Sequence, residues 1–489
     1  MRKRIRLCGA LLGVGVALAA AAAFVATPSQ AAYHHMGEMD SDFFLEVHAD
    51  AAGTKLDSCT TCHGGGVVGK ATLGSCEWCH FTYGYDGHGD IMATLNPYGT
   101  DYHDAGSDVA AVRAIETHDS DGDGYANLDE IAAVRYPGDA DDDPTKVEAP
   151  FRVYELAEIE AMAAHTQFQL MNTHKSGDYY CEYTGAPMED VLADAGMLSW
   201  AASVEVRAAD GFGATHPLDP APGYYHVRGT YPESTFYYAE EADKALNPVY
   251  GWCDYGAPSV AGRANGDPIV VDGGARLLLA YKYEGAYLQP GGLGSNGKLV
   301  GEGPFRVVPP QHTPGPPDQA STSLIQDVLW PFDGPELFTD HNAGFSSKCV
   351  TVIKVGPLPE GTTDIDTTEA GWEYIRDGKV VVYGAIDPIP TARAKAGDLR
   401  EFVSTLERTD VRKAKMAGVY AKKLGVLLKQ IERGAVAGAG AKISDDLLPK
   451  ADGVVTAGAP DRNDWVTDSS AQLRIYWALQ ELLTLLAIE

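Results

Sequence analysis

Two five-residue segments near the amino terminus hold cysteine and histidine in one pattern: Cys59-Thr60-Thr61-Cys62-His63 and Cys76-Glu77-Trp78-Cys79-His80. Two thiols three positions apart reach two vinyl groups on one porphyrin edge, and the histidine that follows reaches the iron from one face. Each segment is therefore an attachment signal for c-type haem. The spacing predicts two covalent haems, bound through Cys59, Cys62, Cys76 and Cys79, with His63 and His80 as proximal iron ligands. The competing arrangement is a zinc site that uses four thiolates and leaves both histidines idle. The 13 residues between Cys62 and Cys76 fall short of the usual zinc-ribbon gap.

The distal iron positions have more claimants than they need. His34, His35, His48, His88, His103 and His118 lie in or beside the segment, and His35, His48, His88 and His103 are taken as the distal candidates. Met36, Met39 and Met92 compete and would raise the potential. With histidine on both faces of both irons no position is open to substrate, and the segment only moves electrons.

A second chemical pattern follows. Residues 119–130, Asp-Ser-Asp-Gly-Asp-Gly-Tyr-Ala-Asn-Leu-Asp-Glu, fit a twelve-residue EF-hand loop. Asp119, Asp121 and Asp123 supply carboxylates at positions 1, 3 and 5, and Gly124 permits the sharp turn. Tyr125 offers its carbonyl, Asn127 acts directly or through water, and Glu130 is the bidentate ligand. Apolar positions at helical spacing flank the loop: Val109, Val112 and Ile115 before it, Leu128, Ile131 and Val134 after it. The expectation is a single structural calcium. The acidic run from Gly138 to Pro144 reads as a solvated linker, with a weaker cation site as its alternative.

The elements that must position these groups begin with an export signal. Arg2, Lys3, Arg4 and Arg6 precede an apolar run from Gly9 to Ala26, and Ser29-Gln30-Ala31 offers a cleavage site. Residues 1–31 are thus set apart as a signal peptide, an uncleaved anchor being the alternative. The expected location is the periplasm, the outer surface or the extracellular space, with no membrane span after cleavage. The chain has 489 residues and a formal charge of 38 − 68 = −30. Loss of the four signal cations leaves −34, which excludes nucleic acid and anionic membrane as partners. Of eight cysteines, one lies in the signal and four take haem, leaving Cys181, Cys253 and Cys349. One disulfide and one free or ligating thiol is the simplest allocation in an oxidising compartment.

Residues 32–110 are rich in Gly, His and Tyr and poor in periodicity, so porphyrin is expected to supply their core. Residues 111–150 form the calcium helix–loop–helix and its acidic linker. Residues 151–390 read as β-rich, with strands at Val204–Arg207, Ile269–Val271, Arg276–Tyr283, Phe305–Val308, Val350–Val355 and Lys379–Tyr383. Residues 391–489 carry apolar residues at helical spacing in Leu399–Leu406, Val419–Ile431 and Leu473–Leu486. They are expected to form a helical hairpin or bundle that packs or joins chains into a homo-oligomer. The fold class is multidomain α+β.

The β-rich region carries a run of local signatures. Residues 185–196, Gly-Ala-Pro-Met-Glu-Asp-Val-Leu-Ala-Asp-Ala-Gly, precede Val204-Glu205-Val206-Arg207-Ala208-Ala209-Asp210-Gly211-Phe212. Residues 303–310, Gly-Pro-Phe-Arg-Val-Val-Pro-Pro, precede Lys348-Cys349-Val350-Thr351-Val352-Ile353. In that order, over about residues 180–355, they resemble the sulfite-oxidase-like molybdopterin fold. That family runs G-V-P-L-x-x-L-L-x-x-A-G, a strand ending in D-G-Y, G-x-P-x-R-L-V-x-P and a K-x-x-x-x-I strand. The order of haem segment, EF-hand and β region also resembles large secreted multihaem c-type cytochromes of metal- and sulfur-respiring bacteria.

The first resemblance implies a fold and, in its enzymes, a molybdenum-bound cysteine well upstream of the G-V-P-L segment. Here Cys181 lies four residues before Gly185, without the C-x-G-N type of context, and basic residues for a pterin phosphate are scarce. The sequence therefore weighs against molybdopterin and against Cys181 as its ligand. A Cys253–Cys349 disulfide is the simpler use of the remaining thiols, though sequence does not fix the pairing. Gly292–Gly297 matches G-x-G-x-x-G but has no strand before it or helix after it, and reads as a mobile turn. Asp340-His341-Asn342 reads as an ordinary loop.

The leading expectation is an electron carrier rather than a substrate-turning enzyme, passing electrons to a redox partner protein or an extracellular acceptor. The alternatives are a molybdenum oxidoreductase with haem as its electron exit, and a calcium-dependent surface-binding or structural protein.

Overall fold

β-Branched and aromatic runs between residues 151 and 384 pair into two five-stranded sheets. The computed structural model describes residues 39–68, 71–75, 78–79, 82, 90–171, 179–209, 212–219, 225–230, 235–237, 258–264, 267–294, 299–313, 327–328, 346–367 and 370–488. The first sheet runs in the order Phe151–Glu155, Lys379–Gly384, Val350–Gly356, Ser203–Ala208, Gly213–Pro217. Its one parallel pair, Val350–Gly356 with Lys379–Gly384, is joined by a crossover that carries the helix Trp372–Asp377. Ser203–Ala208 alternates, sending Val204, Val206 and Ala208 inward, while Val350–Gly356 is buried at all but Lys354.

The second sheet runs Ala286–Tyr287, Leu278–Tyr283, Tyr179–Pro187, His165–Met171, and Arg306–Val308 also pairs with Leu278–Tyr283. One core takes side chains from both sheets: Val204, Ile353 and Val380 from the first, Ala186, Leu279 and Val307 from the second. The helix Met188–Asp194 buries Met188, Val191 and Leu192 in it. The expected strands therefore all appear, shifted by a few residues at their ends.

The carboxyl-terminal region is helical. Ile389–Thr405, Met416–Glu432 and Ser469–Leu486 close on a common apolar core that includes Leu399, Leu424, Leu427, Ile475, Leu479 and Leu482. Ile475, Leu479, Leu482 and Leu486 keep the i, i+4, i+7, i+11 spacing of one helix face. Asp468 caps the last helix by accepting from Ala471 N at 2.8 Å.

The amino-terminal segment departs from expectation. Its helices Met39–Val47, Pro97–Ala105 and Val109–Ala114 build a side-chain core of their own from Phe44, Leu56, Tyr98, Tyr102, Val112 and Ile115. Ile131 and Tyr136 from beyond the calcium loop complete it. The aromatic residues that looked aperiodic are the core, because Tyr98 and Tyr102 fall on one face of a helix. The solvated-linker reading of Gly138–Pro144 fits Asp139, Ala140 and Asp141, which are exposed, but not Asp142. Asp142 is only 3% exposed and is held by Lys55 and Thr363. The described residues accordingly belong to one compact unit. The chain is mixed α and β, and among the described residues no helix is long and apolar enough to cross a membrane.

Candidate functional site

The first C-x-x-C-H segment is a tight turn. Cys59–Thr61 is a single 3-10 turn, and Cys59 O accepts from both Cys62 N at 3.1 Å and His63 N at 2.9 Å. This turn gathers the two thiols and the imidazole on one short stretch. Asn96 clamps it: its Nδ2 donates to Thr60 O and Thr61 O, and its own N–H donates to Cys62 O at 3.0 Å. The same Asn96 caps the helix Pro97–Ala105 through Gly99 N at 2.8 Å, with Pro97 at the first helical position. Gly99 is required here, since a Cβ would strike Cys62 O.

The tautomer of His63 follows from hydrogen bonding. His63 Nδ1 lies 2.7 Å from Thr94 Oγ1. The Thr94 hydroxyl has one proton, and it goes to Ile91 O at 2.6 Å. Thr94 Oγ1 must therefore accept, and His63 Nδ1 must carry the proton. The lone pair is left on Nε2, the arrangement a metal-ligating histidine needs. Burial holds His63 below its usual range, partly opposed by the Asp40 carboxylate. The Cys62 thiol packs on the amino-terminal core and burial pushes it up to about 12. An uncharged thioether suits that apolar setting better than a thiolate does.

Of the second segment, Trp78 and Cys79 are described and are half-buried, whereas Cys76 and His80 lie outside the described residues. Trp78 packs its indole face against Gly66, where a Cβ would enter the ring. Gly66 belongs to a small hairpin, Gly66–Val68 with Ala71–Leu73, that joins the two segments. Burial raises the Cys79 thiol.

The distal candidates separate clearly. His48 has a side chain 8% exposed, and its Nε2 is buried with no hydrogen-bond partner. Its ring lies 5.1 Å from that of Phe44, Glu116 Oε1 is 4.0 Å from Nε2, and burial lowers its pKa. His103 and His118 are exposed beside Asp104 and Asp101, and Met39 and Met92 are exposed as well. His34, His35, His88 and Met36 lie outside the described residues.

Residues 119–130 form a loop that could hold a cation. The carboxylates of Asp119, Asp121 and Asp123 bring one oxygen each within 4.8 Å of one another. Backbone amides fold the loop around them: Asp119 accepts from Gly122 N and Gly124 N, Asp121 from Asp123 N, and Asp123 from Tyr125 N. Gly122 and Gly124 stand at φ 82° and 101°, which glycine adopts without strain. Glu130 is fully buried and both of its carboxylate oxygens lack a partner, as do one oxygen each of Asp121 and Asp123. Burial, and then repulsion from Asp121, Asp123 and Asp119, pushes Glu130 up to about 9. Burial chiefly pushes Asp121 up to about 6. Asn127 braces the loop: Nδ2 donates to Ile115 O and Ser120 Oγ, and Oδ1 accepts from Ser120 N.

The other expected sites are dispersed. Cys181 is sealed in the strand Tyr179–Pro187 among Met171, Tyr183, Leu278 and Ala280, with Sγ 3.7 Å from Gln169 O. Burial raises its thiol well above the usual range. Cys349 is buried in a different cluster with Ala209 and Ile375, and Cys253 lies outside the described residues. Gly292–Leu293 pairs with Leu299–Val300, while residues 295–298 and Asp340-His341-Asn342 lie outside the described residues. Thr94 and Asn96 were not singled out from sequence, although Asn96-Pro97 is a helix-start signal. No family model, curated protein or solved structure matches the chain.

Proposed function

We propose that the chain is an exported c-type electron carrier with two covalent haems and a structural calcium ion. Cys59 and Cys62 would hold one haem, Cys76 and Cys79 the other, with His63 and His80 as proximal ligands. The observation that carries the reading is the His63–Thr94–Ile91 relay, which fixes the imidazole with its Nε2 lone pair free for iron. Bound haem would supply a one-electron couple, while the chain orients its ligands and sets their surroundings. The buried, unpartnered Nε2 of His48 supports it as a distal ligand to one iron. Asp119, Asp121, Asp123 and Glu130 would hold calcium, which would relieve the repulsion among them and fix the helices on either side of the loop.

The β-rich region would serve as a scaffold for docking a redox partner. A molybdenum enzyme is disfavoured by Cys181, whose thiol is buried inside a sheet and kept protonated. The test is the spectrum of the purified full chain. Two low-spin haems per chain are expected, and His48→Ala should turn one of them high-spin or sensitive to added carbon monoxide. A wild-type chain with no haem absorption would end this reading.

A further inference from the structure

Charge is unevenly spread along the chain. Residues 32–150 hold 5 Lys and Arg against 23 Asp and Glu, whereas residues 391–489 hold 15 against 13. Within the latter the cations gather: residues 411–433 hold seven against the single acid Glu432. The helix Met416–Glu432 spans most of this run and buries Ala417, Tyr420, Ala421, Leu424, Leu427 and Ile431. Lys415 at its N-cap, then Lys422, Val426, Lys429, and Arg433 at its C-cap fall at i, i+7, i+11, i+14 and i+18 on the opposite face. All five are exposed, Val426 by 48%.

This face finds no counter-charge within the chain. Among the described residues no carboxylate lies within ion-pair distance of Lys415, Lys422, Lys429 or Arg433. Lys423, one position round the helix, shows the contrast: its ammonium sits 2.7 Å from Asp446 Oδ2, which Lys442 also contacts. The helix Met39–Val47 carries the opposite pattern. It buries Phe44, while Asp42 and Glu46 are exposed one turn apart, and no described cation pairs with either. Met39, 67% exposed, precedes them on the same face. Met39, Asp42 and Glu46 thus stand at i, i+3 and i+7, and so do Val426, Lys429 and Arg433. The two triplets share one spacing and carry opposite charge.

We propose that the basic face of Met416–Glu432 docks on the acidic face of Met39–Val47 in a second copy of this chain. Laid side by side in one direction, the triplets set valine on methionine and two cations on two carboxylates. Two basic faces would repel each other, so the contact joins unlike faces. It closes a pair about a two-fold axis or repeats from chain to chain. The net negative charge of whole chains does not prevent this, because it is screened beyond about 8 Å at physiological salt. The faces that meet decide the outcome, and their charges set orientation and register more than strength.

Sedimentation equilibrium of the full chain over a concentration series tests the proposal. The wild type should exceed its monomer mass at about 0.1 M salt and return to it at about 1 M, as the screening length falls from about 10 Å to about 3 Å. Lys429→Glu with Arg433→Glu should be monomeric at the lower salt, and so should Asp42→Lys with Glu46→Lys. An equal mixture of these two variants should associate again, because each then meets faces of opposite sign in the other. Circular dichroism matching the wild type checks that both fold. Should one of them unfold, the other variant and the salt response of the wild type decide. A wild type that is monomeric at the lower salt would overturn the proposal. So would association that survives in either folded variant, or a mixture that stays monomeric.

Discussion

The Lys55 ammonium lies 2.6 Å from the Asp142 carboxylate, and both side chains are almost fully buried. Lys55 Nζ also donates to Thr363 Oγ1 at 3.3 Å and Asp364 O at 3.4 Å, and sits 4.7 Å above the Tyr136 ring. Asp142 in turn accepts from Tyr136 N at 2.9 Å and from the Thr363 hydroxyl. This ion-paired cluster joins the run before the first C-x-x-C-H segment, the run after residues 119–130 and the β-rich region, and Arg135 Nε stands as a second cation 3.6 Å from Asp142. Lys55→Met removes the nearer cation and its charged hydrogen bond and should cost about 1.5–3 kcal/mol, read from denaturant unfolding. An unchanged midpoint would mean that the pair does not couple these regions.

Calcium at the EF-hand loop should stabilise the chain by about 2.7 kcal/mol when free calcium is a hundredfold above its dissociation constant. Chelation should lower the melting temperature. Glu130→Gln should remove the part of that difference owed to the loop, because Glu130 is fully buried and neither of its carboxylate oxygens has a hydrogen-bond partner. Equal calcium-dependent shifts in wild type and Glu130→Gln would count against the loop as a site.

The strands and long helices were legible because their signals are local. Val204 and Val206 alternate with polar residues, and Ile475, Leu479 and Leu482 repeat at helical spacing. The grouping of the Asp119, Asp121 and Asp123 carboxylates was legible for the same reason: they lie within five residues. The core of the amino-terminal segment was not, because Phe44, Tyr98 and Ile131 are far apart in sequence and meet only in the fold. Asp142 looked like one more solvated carboxylate in an acidic run, since its partners Lys55 and Thr363 lie 87 and 221 positions away. Thr94 escaped notice because a threonine that fixes a tautomer carries no motif.

Acid should weaken the β-rich region through His216. This imidazole is fully buried, with Nδ1 2.6 Å from the Tyr225 hydroxyl, and burial pushes it down to about 3. The unfolded chain, with an ordinary histidine near 6.5, binds a proton that the folded chain refuses. Stability is therefore complete above pH 6.5 and is lost as pH falls toward 3. Between pH 6.5 and 4.5 the loss from this group should approach about 2.7 kcal/mol. His216→Gln should shrink the acid dependence by that amount; equal acid losses in both proteins would contradict it.

Cys181→Ser should leave metal content and haem reduction unchanged and cost about 1–2 kcal/mol in packing and desolvation. Cys181 sits between sheet strands with its Sγ directed at Gln169 O. Stoichiometric molybdenum in the wild type that vanishes in this variant would promote the enzyme reading over the carrier.

The central claim is covalent haem at both C-x-x-C-H segments. Intact mass of the chain after acid–acetone extraction tests it most directly. The account predicts a mass two haems above that of the signal-cleaved polypeptide, falling by one haem in a Cys59→Ala, Cys62→Ala double variant. A mass equal to that of the bare polypeptide would contradict it.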